Sequence, residues 1–244
     1  MYEKVKYLTA GDRALVIEFG DSIEEQVNSK IRSLTLAIER ECIIGIIEMI
    51  PTYRSLMVIY EPMLIELDQL IDKAKSIQIK MDEMKLPKAK VIEIPTLYGG
   101  EYGPDIEFVA QHNKISAEEV IKIHTSIEYL IYMIGFTPGF PYLGGMNDKI
   151  SAPRLQNPRT KIPAGSVGIA GAQTGIYPIE SPGGWQLIGR TPVSLYDPYR
   201  KEPVLLNAGD YIKFVQIDEK EYKNIEALER EGKYKVVISG KDRR

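Results

Sequence analysis

The first part of the chain alternates short apolar runs with segments whose apolar residues recur at helical spacing. Residues 14–19 form an apolar run that predicts a buried strand. Ser22 and Glu25 follow it with the spacing of a capping box, which predicts the start of a helix. That helix would carry one apolar stripe, made of Val27, Ile31, Leu34 and Ile38.

Two further strands and a second helix are predicted in the same region. Residues 43–50 and 54–60 are strand-like runs on either side of a turn at Pro51. Apolar residues then recur again at helical spacing, at Leu67, Leu70, Ile71 and Ala74. Residues 91–94 predict a last strand, which belongs either to this region or to the next. The order strand, helix, strand, strand, helix, strand is typical of a small ferredoxin-like α+β domain.

The pattern changes near residue 89. The lysine-rich stretch 80–88 is the best candidate for a linker between domains. We therefore predict a small α+β domain at residues 1–88 and a second domain, which carries the candidate site, at residues 89–244.

The second domain begins with one more helix and then becomes strand-like. Ser116 and Glu119 form another capping box, which predicts a short helix over residues 117–124. Residues 127–134 alternate with the period of a strand. Near the end, residues 205–214 predict a turn that leads into a closing strand.

Glycine and proline are concentrated in the middle of the second domain. Between Gly135 and Pro198 there are 11 glycines and 9 prolines in 64 residues. Aromatic residues and aliphatic runs such as residues 166–170 are interleaved with them, which argues against disorder. Many short strands joined by glycine and proline turns predict a closed, mainly-β barrel.

Composition and charge narrow the classes of function. The net charge of -3 provides no basic field for a phosphate backbone, so no nucleic-acid partner is expected. No apolar run approaches the roughly 18 residues of a membrane span, and the first residues lack the order of a secretory signal, so we expect a cytoplasmic protein. Cys42 is the only cysteine and lies in an apolar run, which predicts a small core residue. With one cysteine and two histidines, no metal site is expected.

Four turn-rich stretches carry the candidate chemistry. They are residues 135–143, 153–159, 163–168 and 181–185. Glycine and proline build rigid loops whose N–H groups can face a ligand, and tightly turned backbone can form an anion-binding concavity. For any single pair of such residues a tight barrel turn is the simpler explanation, whereas the whole set favours a binding or catalytic surface.

Long strings of uncommon residues make the second domain recognisable. They include Gly135-Phe136-x-Pro138-Gly139-Phe140, Pro163-Ala164-Gly165-Ser166, Gly171-x-Gln173-Thr174-Gly175-Ile176-Tyr177-Pro178 and Ser181-Pro182-Gly183-Gly184-Trp185-Gln186-x-Ile188-Gly189-Arg190-Thr191. These strings resemble the allophanate hydrolase subunit 1 family. Residues 7–16 also resemble the opening of that family, so the resemblance covers nearly the whole chain.

The resemblance implies a fold and an activity. It implies a cyclophilin-like barrel for the second domain. It also implies a hydrolase complex that uses ATP to convert 5-oxo-L-proline, a small lactam, to L-glutamate, with 5-oxoprolinase subunits C and A as partners. This chain would act with the C subunit in activating the substrate and would not be active alone. Which of the chains holds ATP stays open.

The site hypothesis has a catalytic and a binding part. Charge stabilisation is expected from the permanently charged Arg154, Arg159 and Arg190. His124 is the candidate for acid–base work, although a buried structural histidine at a helix end is the simpler explanation. Ser166 is not expected to be a nucleophile, because Gly-x-Ser-x-Gly is absent. The residues expected to form the substrate pocket are Phe136, Pro138, Gly139, Phe140, Tyr142, Gly165, Ser166, Gln173, Tyr177, Ser181, Gly183, Gly184 and Trp185.

Two other functions stay open at this point. The resemblance also implies a regulatory inhibitor that docks on a sensor histidine kinase and blocks its autophosphorylation. The aromatic loop at residues 136–142 would then hold a partner helix. A cyclophilin-like prolyl isomerase is the third possibility, but a fold alone does not carry an activity.

Overall fold

The computed structural model of the chain describes residues 1–80 and 88–241. The predicted linker at residues 80–88 falls almost wholly outside the described residues. The chain folds into two compact units, Met1–Pro87 and Lys88–Arg244. Each unit has a hydrophobic core of its own.

Over residues 1–80, the described part of the first unit, a four-stranded sheet is combined with two helices. The elements are β1 (Lys6–Thr9), β2 (Ala14–Glu18), α1 (Glu25–Glu41), β3 (Ile46–Pro51), β4 (Ser55–Tyr60) and α2 (Leu67–Lys80). The strand order is β1-β2-β4-β3, and each neighbouring pair is antiparallel. Three of the four predicted strands and both predicted helices are present here.

The ferredoxin-like prediction is not confirmed for this unit. The order strand, helix, strand, strand, helix is found from β2 to α2. The predicted last strand at residues 91–94 pairs instead with strands of the second unit. Its place beside β2 is taken by β1, which precedes the other strands in sequence.

The helix α1 buries the predicted apolar stripe but starts differently from the prediction. Val27, Ile31, Leu34 and Ile38 are all buried. The predicted capping box at Ser22 is wrong, because the cap position is Glu24 and no side chain bonds there. The hydroxyl of Ser22 donates instead to the carboxylate of Glu24.

The prediction that Cys42 lies in the core is also wrong. Cys42 ends α1 in a left-handed conformation with φ 47°, and its N–H donates to the carbonyl of Glu39. This reversal of the chain turns the thiol outward, and Cys42 is exposed.

The second unit is mainly β with three helices. Its elements are β5 (Ala89–Tyr98), α3 (Ile106–Asn113), α4 (Ala117–Thr125), β6 (Glu128–Ile134), β7 (Pro141–Gly144), a 3₁₀ turn (Asp148–Ile150), β8 (Arg159–Ile162), β9 (Ser166–Ala170), β10 (Gln173–Ile176), β11 (Ser181–Gly183), β12 (Gln186–Arg190), β13 (Tyr211–Gln216), α5 (Glu219–Arg230) and β14 (Ile238–Lys241). The predicted strand at residues 127–134 is therefore present as β6, and the predicted strand 166–170 is β9.

Eight strands of this unit form a nearly closed, barrel-like sheet, and β8 and β11 form a separate two-stranded sheet. The order in the barrel-like sheet is β10-β9-β12-β5-β13-β6-β7, with β14 added against β5. The two ends of the barrel-like sheet, β10 and β7, lie beside each other. The pairing of β13 with β5 is parallel, and the remaining pairs are antiparallel. The predicted closing strand is β13, but it lies in the middle of the sheet, between β5 and β6.

The helices α3 and α4 pack against the sheet and share its core. The predicted cap of α4 is confirmed, because the hydroxyl of Ser116 accepts a hydrogen bond from the N–H of Glu119. Buried aliphatic side chains from both helices join those of the strands in one cluster. A smaller cluster of buried residues contains Phe140, Tyr177 and Trp185, and it forms the floor of the cavity described below.

A glycine before α3 is expected to be essential for the stability of the second unit. A Cβ at Gly103 would overlap the carbonyl oxygen of Ile188 in β12. We expect Gly103→Ala to lower the free energy of unfolding by about 3 kcal/mol, because backbone atoms must move to relieve the overlap. Chemical denaturation measures the change.

The matched control for this prediction is Gly240→Ala. A Cβ at Gly240 has no neighbour within 4 Å. The control should change the free energy of unfolding by less than about 1 kcal/mol. Equal stability of the two variants would contradict the proposed overlap.

Candidate functional site

A cavity of about 250 Å³ opens in the second unit. We call it the barrel cavity. It is lined by Phe136, Phe140, Tyr142, Arg154, Gln173, Tyr177, Pro182, Gly183, Gly184 and Trp185. The structure thus brings together residues from three of the four turn-rich stretches that the sequence singled out, together with Gln173 and Tyr177.

The ring of Phe140 is the centre of the aromatic wall of the cavity. Its centroid lies 5.3 Å from that of Tyr142, 5.7 Å from that of Tyr177 and 5.8 Å from that of Trp185. All three pairs meet edge to face, which is a favourable geometry for aromatic rings. Phe140 is only 3% exposed, so the wall is a fixed, apolar surface.

A strained loop presents one aromatic ring at the mouth of the cavity. Phe136 has φ 67°, a conformation that is rare for a bulky residue and costs energy. The loop is closed by two hydrogen bonds, from the N–H of Gly135 to the carbonyl of Phe140 and from the N–H of Phe140 to the carbonyl of Thr137. These bonds hold Phe136 so that its side chain is 70% exposed, while its ring still meets Phe140 at 5.7 Å.

Gly183 allows Tyr177 to sit at the edge of the cavity. A Cβ at Gly183 would overlap the phenol oxygen of Tyr177. Burial raises the pKa of Tyr177, and the positive charges of Arg154 and Arg159 act against that rise. The phenol therefore stays protonated at neutral pH and is a hydrogen-bond donor beside the cavity.

Arg154 is the one positively charged residue that lines the barrel cavity, and no carboxylate lines it. Within residues 1–80 and 88–241, none of the ion pairs includes Arg154. Gln173 adds an amide group, which both donates and accepts hydrogen bonds. The cavity therefore suits a small ligand that has an apolar ring, an amide and a negative charge.

Arg159 has a different role from the one that the sequence suggested. Its guanidinium pairs with Asp105 at 2.7 Å and donates to the carbonyl of Trp185 at 3.4 Å. The same carboxylate accepts the N–H of Leu187 at 2.6 Å. Arg159 therefore braces the strand behind Trp185, and its charge is already balanced by Asp105.

Arg190 does not line the barrel cavity. Its guanidinium carbon lies 5.5 Å from the ring centroid of Tyr102, and its Nε is buried without a hydrogen-bond partner. Burial raises the pKa of Tyr222 in α5 to about 12, and the charge of Arg190 acts against that rise. Arg190, from which charge stabilisation was expected, therefore lies outside the cavity that the loops at 135–142 and 181–185 line.

His124 lies in the core, at the end of α4. It is fully buried, and its ring nitrogens lie 2.8 Å from the hydroxyl of Tyr98 and 2.8 Å from that of Thr174. Burial lowers the pKa of His124 to about 3. The imidazole is therefore neutral near pH 7 and holds α4 against the sheet, which favours the structural explanation given above for this residue.

Several other predicted residues support the cavity without lining it. Pro138 and Gly139 lie in the loop that carries Phe136. Gly165 donates its N–H to the carbonyl of Tyr177, and Ser166 is completely buried in β9. Ser181 begins β11.

Pro182 was missed by the sequence argument and lines the cavity. Pro182 follows Ser181 in the turn-rich stretch at residues 181–185. Its position in that stretch could have indicated that it lines the cavity.

The described residues offer no resident metal centre. Among residues 1–80 and 88–241, no group of three or more His, Cys, Asp or Glu side chains is placed to hold a metal ion. No helix in this described part of the chain has the length and apolar content to cross a membrane.

The fold and the site together define a mainly-β protein with a small aromatic-walled ligand cavity in a barrel-like unit. A family profile described as carboxyltransferase domain, subdomain C and D, matches residues 5–206. The chain belongs to this family.

Curated relatives match over most of the chain. One, the B subunit of 5-oxoprolinase from Bacillus subtilis, is 50% identical over 222 residues, which cover 87% of this chain and 92% of the relative. Another, the B subunit of 5-oxoprolinase from Escherichia coli O157:H7, is 40% identical, with coverage of 87% and 96%.

A solved structure supports the fold. The crystal structure of TTHA0988 superposes with a TM-score of 0.77 and is 35% identical to this chain. The match covers 84% of this chain but only 40% of the TTHA0988 chain. This chain is therefore similar to one part of a longer polypeptide.

The buried state of His124 predicts a dependence of stability on pH. The unfolded chain binds a proton at His124 below the ordinary pKa of 6.5, whereas the folded chain does so only near pH 3. The contribution of His124 to the free energy of unfolding is therefore fully present above pH 6.5, and it falls as the pH drops towards 3. At pH 5 the loss is about 2 kcal/mol relative to pH 7.

Two measurements check this dependence. Denaturation at pH 7 and pH 5 should show that His124→Gln loses about 2 kcal/mol less than the natural chain over that interval. If the variant fails to fold, NMR of the natural chain replaces the comparison. A His124 imidazole signal that titrates between pH 7 and pH 5 would contradict the assignment.

Proposed function

We propose that this chain is the B subunit of an ATP-dependent 5-oxoprolinase, which converts 5-oxo-L-proline to L-glutamate. The observation that carries the proposal is near full-length identity of 50% and 40% to relatives that bear this name. Those names describe one component of a larger enzyme, which supports further chains in the complex, and we propose the C and A subunits as partners. On this proposal the chain is not active alone.

We further propose that the barrel cavity binds the lactam. 5-Oxoproline is a small, nearly flat ring with an amide and a carboxylate. The aromatic wall around Phe140 suits the ring, and Arg154 suits the carboxylate because its guanidinium has no competing ion pair among the described residues. Gln173 also lines the cavity and adds an amide beside the proposed position of the ring.

Coupling to ATP follows from the chemistry of the substrate. Opening the lactam to glutamate is unfavourable near neutral pH, so an activated form is useful. In the proposed step the lactam oxygen attacks the terminal phosphorus of ATP, the bond to ADP breaks, and an O-phosphorylated ring remains. In a later step, assigned to the A subunit, one water adds to the phosphorylated carbon and the C–N bond breaks, which gives an acyl phosphate with a free amine. A second water then hydrolyses the acyl phosphate to L-glutamate and phosphate.

The residues of the cavity fit the first step. Catalysis of phosphoryl transfer rests mainly on positioning and charge stabilisation. Arg154 and the protonated phenol of Tyr177 supply a charge and a donor, and the aromatic wall holds the ring in one orientation.

We also propose the type of barrel in the second unit and the cellular location of the protein. The family resemblance supports a cyclophilin-like barrel for the second unit, whose sheet is nearly closed. A cytoplasmic location fits an enzyme that depends on ATP.

The names of the relatives favour this function over kinase inhibition. Among the aromatic side chains of this loop, Phe136 is largely exposed, whereas Phe140 is buried and Tyr142 is half-buried. The loop therefore offers one ring to a partner helix, rather than the groove that the inhibitor hypothesis requires.

Binding of the lactam can be followed directly. Trp185 is the only tryptophan of the chain and lines the cavity, so addition of 5-oxo-L-proline should change its fluorescence. Arg154→Ala should weaken the apparent affinity about tenfold or more, because a charge-assisted bond to the carboxylate is lost.

The matched control for this titration is Arg230→Ala, which removes an exposed arginine from α5. It should leave the affinity unchanged. An identical titration for the natural chain and Arg154→Ala would remove the barrel cavity from the proposal while leaving the enzyme complex possible.

The complex itself is tested by reconstitution. A mixture of this chain with the C and A subunits should release glutamate only when both ATP and 5-oxo-L-proline are present. Omission of this chain should abolish the release, and Arg154→Ala should lower the rate about tenfold or more while the variant keeps its melting temperature. Full activity without this chain would overturn the proposed function.

A further inference from the structure

The first unit contains a second cavity, of about 410 Å³, which the proposed function does not use. We call it the lysine cavity. It lies between the first residues of the chain, α1 and α2. Its volume is within the range of small-molecule sites.

Positive charge converges on the lysine cavity from three separate parts of the first unit. Lys4 comes from the first residues, Lys30 from α1 and Lys75 from α2, whereas Glu3 is the single carboxylate in the lining. The lining therefore carries a surplus of two positive charges in a chain whose net charge is -3. This is the opposite sign from the rest of the molecule.

These ammonium groups have little competition from carboxylates. Neither Lys4 nor Lys30 belongs to an ion pair of the described residues. Lys75 approaches Asp72 only at 4.0 Å, and both side chains are mostly exposed. Such a surface pair is weak, so Lys75 remains available to an anion.

The remaining surface of the lysine cavity is aromatic and amide. The hydroxyl of Tyr7 donates to the amide oxygen of Gln78 at 2.5 Å, which fixes the amide and leaves its NH₂ group as a donor. The ammonium of Lys75 lies 5.5 Å from the ring centroid of Tyr7. The rings of Tyr7 and Tyr2 provide the surface on which a flat ring can lie, whereas Phe19 is only 1% exposed and adds almost none.

We propose that the lysine cavity binds a phosphate group joined to a flat ring, the chemistry of a nucleoside phosphate. Isolated surface lysines are normally solvated and bind nothing. Here three lysines from different elements surround one concavity, so one multiply charged anion contacts them together. The aromatic surface then favours a phosphate that carries a ring over a free phosphate ion.

This inference does not rest on the reaction proposed for the barrel cavity. The two cavities lie in different units and share no lining residue. Failure of either proposal leaves the other standing.

The test is calorimetric titration of the natural chain with four probes: ATP, AMP, adenosine and inorganic phosphate. We expect ATP and AMP to bind more tightly than adenosine or phosphate, with an affinity that falls as salt is added. The double variant Lys30→Gln/Lys75→Gln should weaken AMP binding about tenfold or more, and Glu3→Gln should strengthen it.

The matched control replaces two exposed lysines of the second unit, as Lys149→Gln/Lys201→Gln, and should bind AMP like the natural chain. Three results would overturn the proposal. They are absence of nucleotide binding, equal AMP affinity of the natural chain and the Lys30→Gln/Lys75→Gln variant, and phosphate that binds as tightly as AMP.

Discussion

Asp105 holds together the parts of the second unit that form the wall of the barrel cavity. Its carboxylate accepts the N–H of Leu187 and pairs with Arg159, while its own N–H donates to the carbonyl of Leu187. Asp105 also immediately precedes α3. The start of α3, Arg159 in β8 and Leu187 in β12 are distant in sequence. The carboxylate of Asp105 joins these three segments behind Trp185. The orientation of the indole and of the ring cluster around Phe140 depends on this arrangement.

The wall and the mouth of the barrel cavity are stabilised in different ways. The rings of Phe140, Tyr142, Tyr177 and Trp185 support one another by close packing, so the wall needs no ligand to keep its shape. Phe136 is held in an unfavourable backbone conformation by the hydrogen bonds of its loop. The mouth is therefore the more strained part of the site. A conformational change on ligand binding costs less free energy there than in the wall.

Local patterns in the sequence predicted most of the secondary structure. The apolar stripe of α1, the cap of α4 and the strand β9 each depend on residues close together in the chain, so periodicity was sufficient. The start of α1 and the exposure of Cys42 depend on where the chain turns, which periodicity does not determine. The sequence left residues 91–94 open between the two regions and did not predict β1, because strand pairing is a long-range property.

The same distinction holds for the candidate site. Glycine and proline strings correctly marked the loops that meet at the barrel cavity. The local sequence did not indicate which of the three arginines lines the cavity. Arg154, Arg159 and Arg190 all lie in or beside turn-rich strings or at the end of a strand. Their roles differ because of distant partners, namely Asp105 for Arg159 and Tyr102 for Arg190. Chain distance also concealed Asp105, which is 82 residues from Leu187.

The strand β5 has a consequence for how the second unit is made. It is synthesised first in that unit, yet its neighbours in the sheet are β12, β13 and β14, which are synthesised last. A nascent chain on the ribosome therefore carries β5 without its partners until β12, β13 and β14 have been synthesised. Such non-local pairing slows folding and leaves an apolar strand exposed in the meantime. The central strand β5 is therefore paired only after β12, β13 and β14 have been synthesised, so the second unit completes its sheet late.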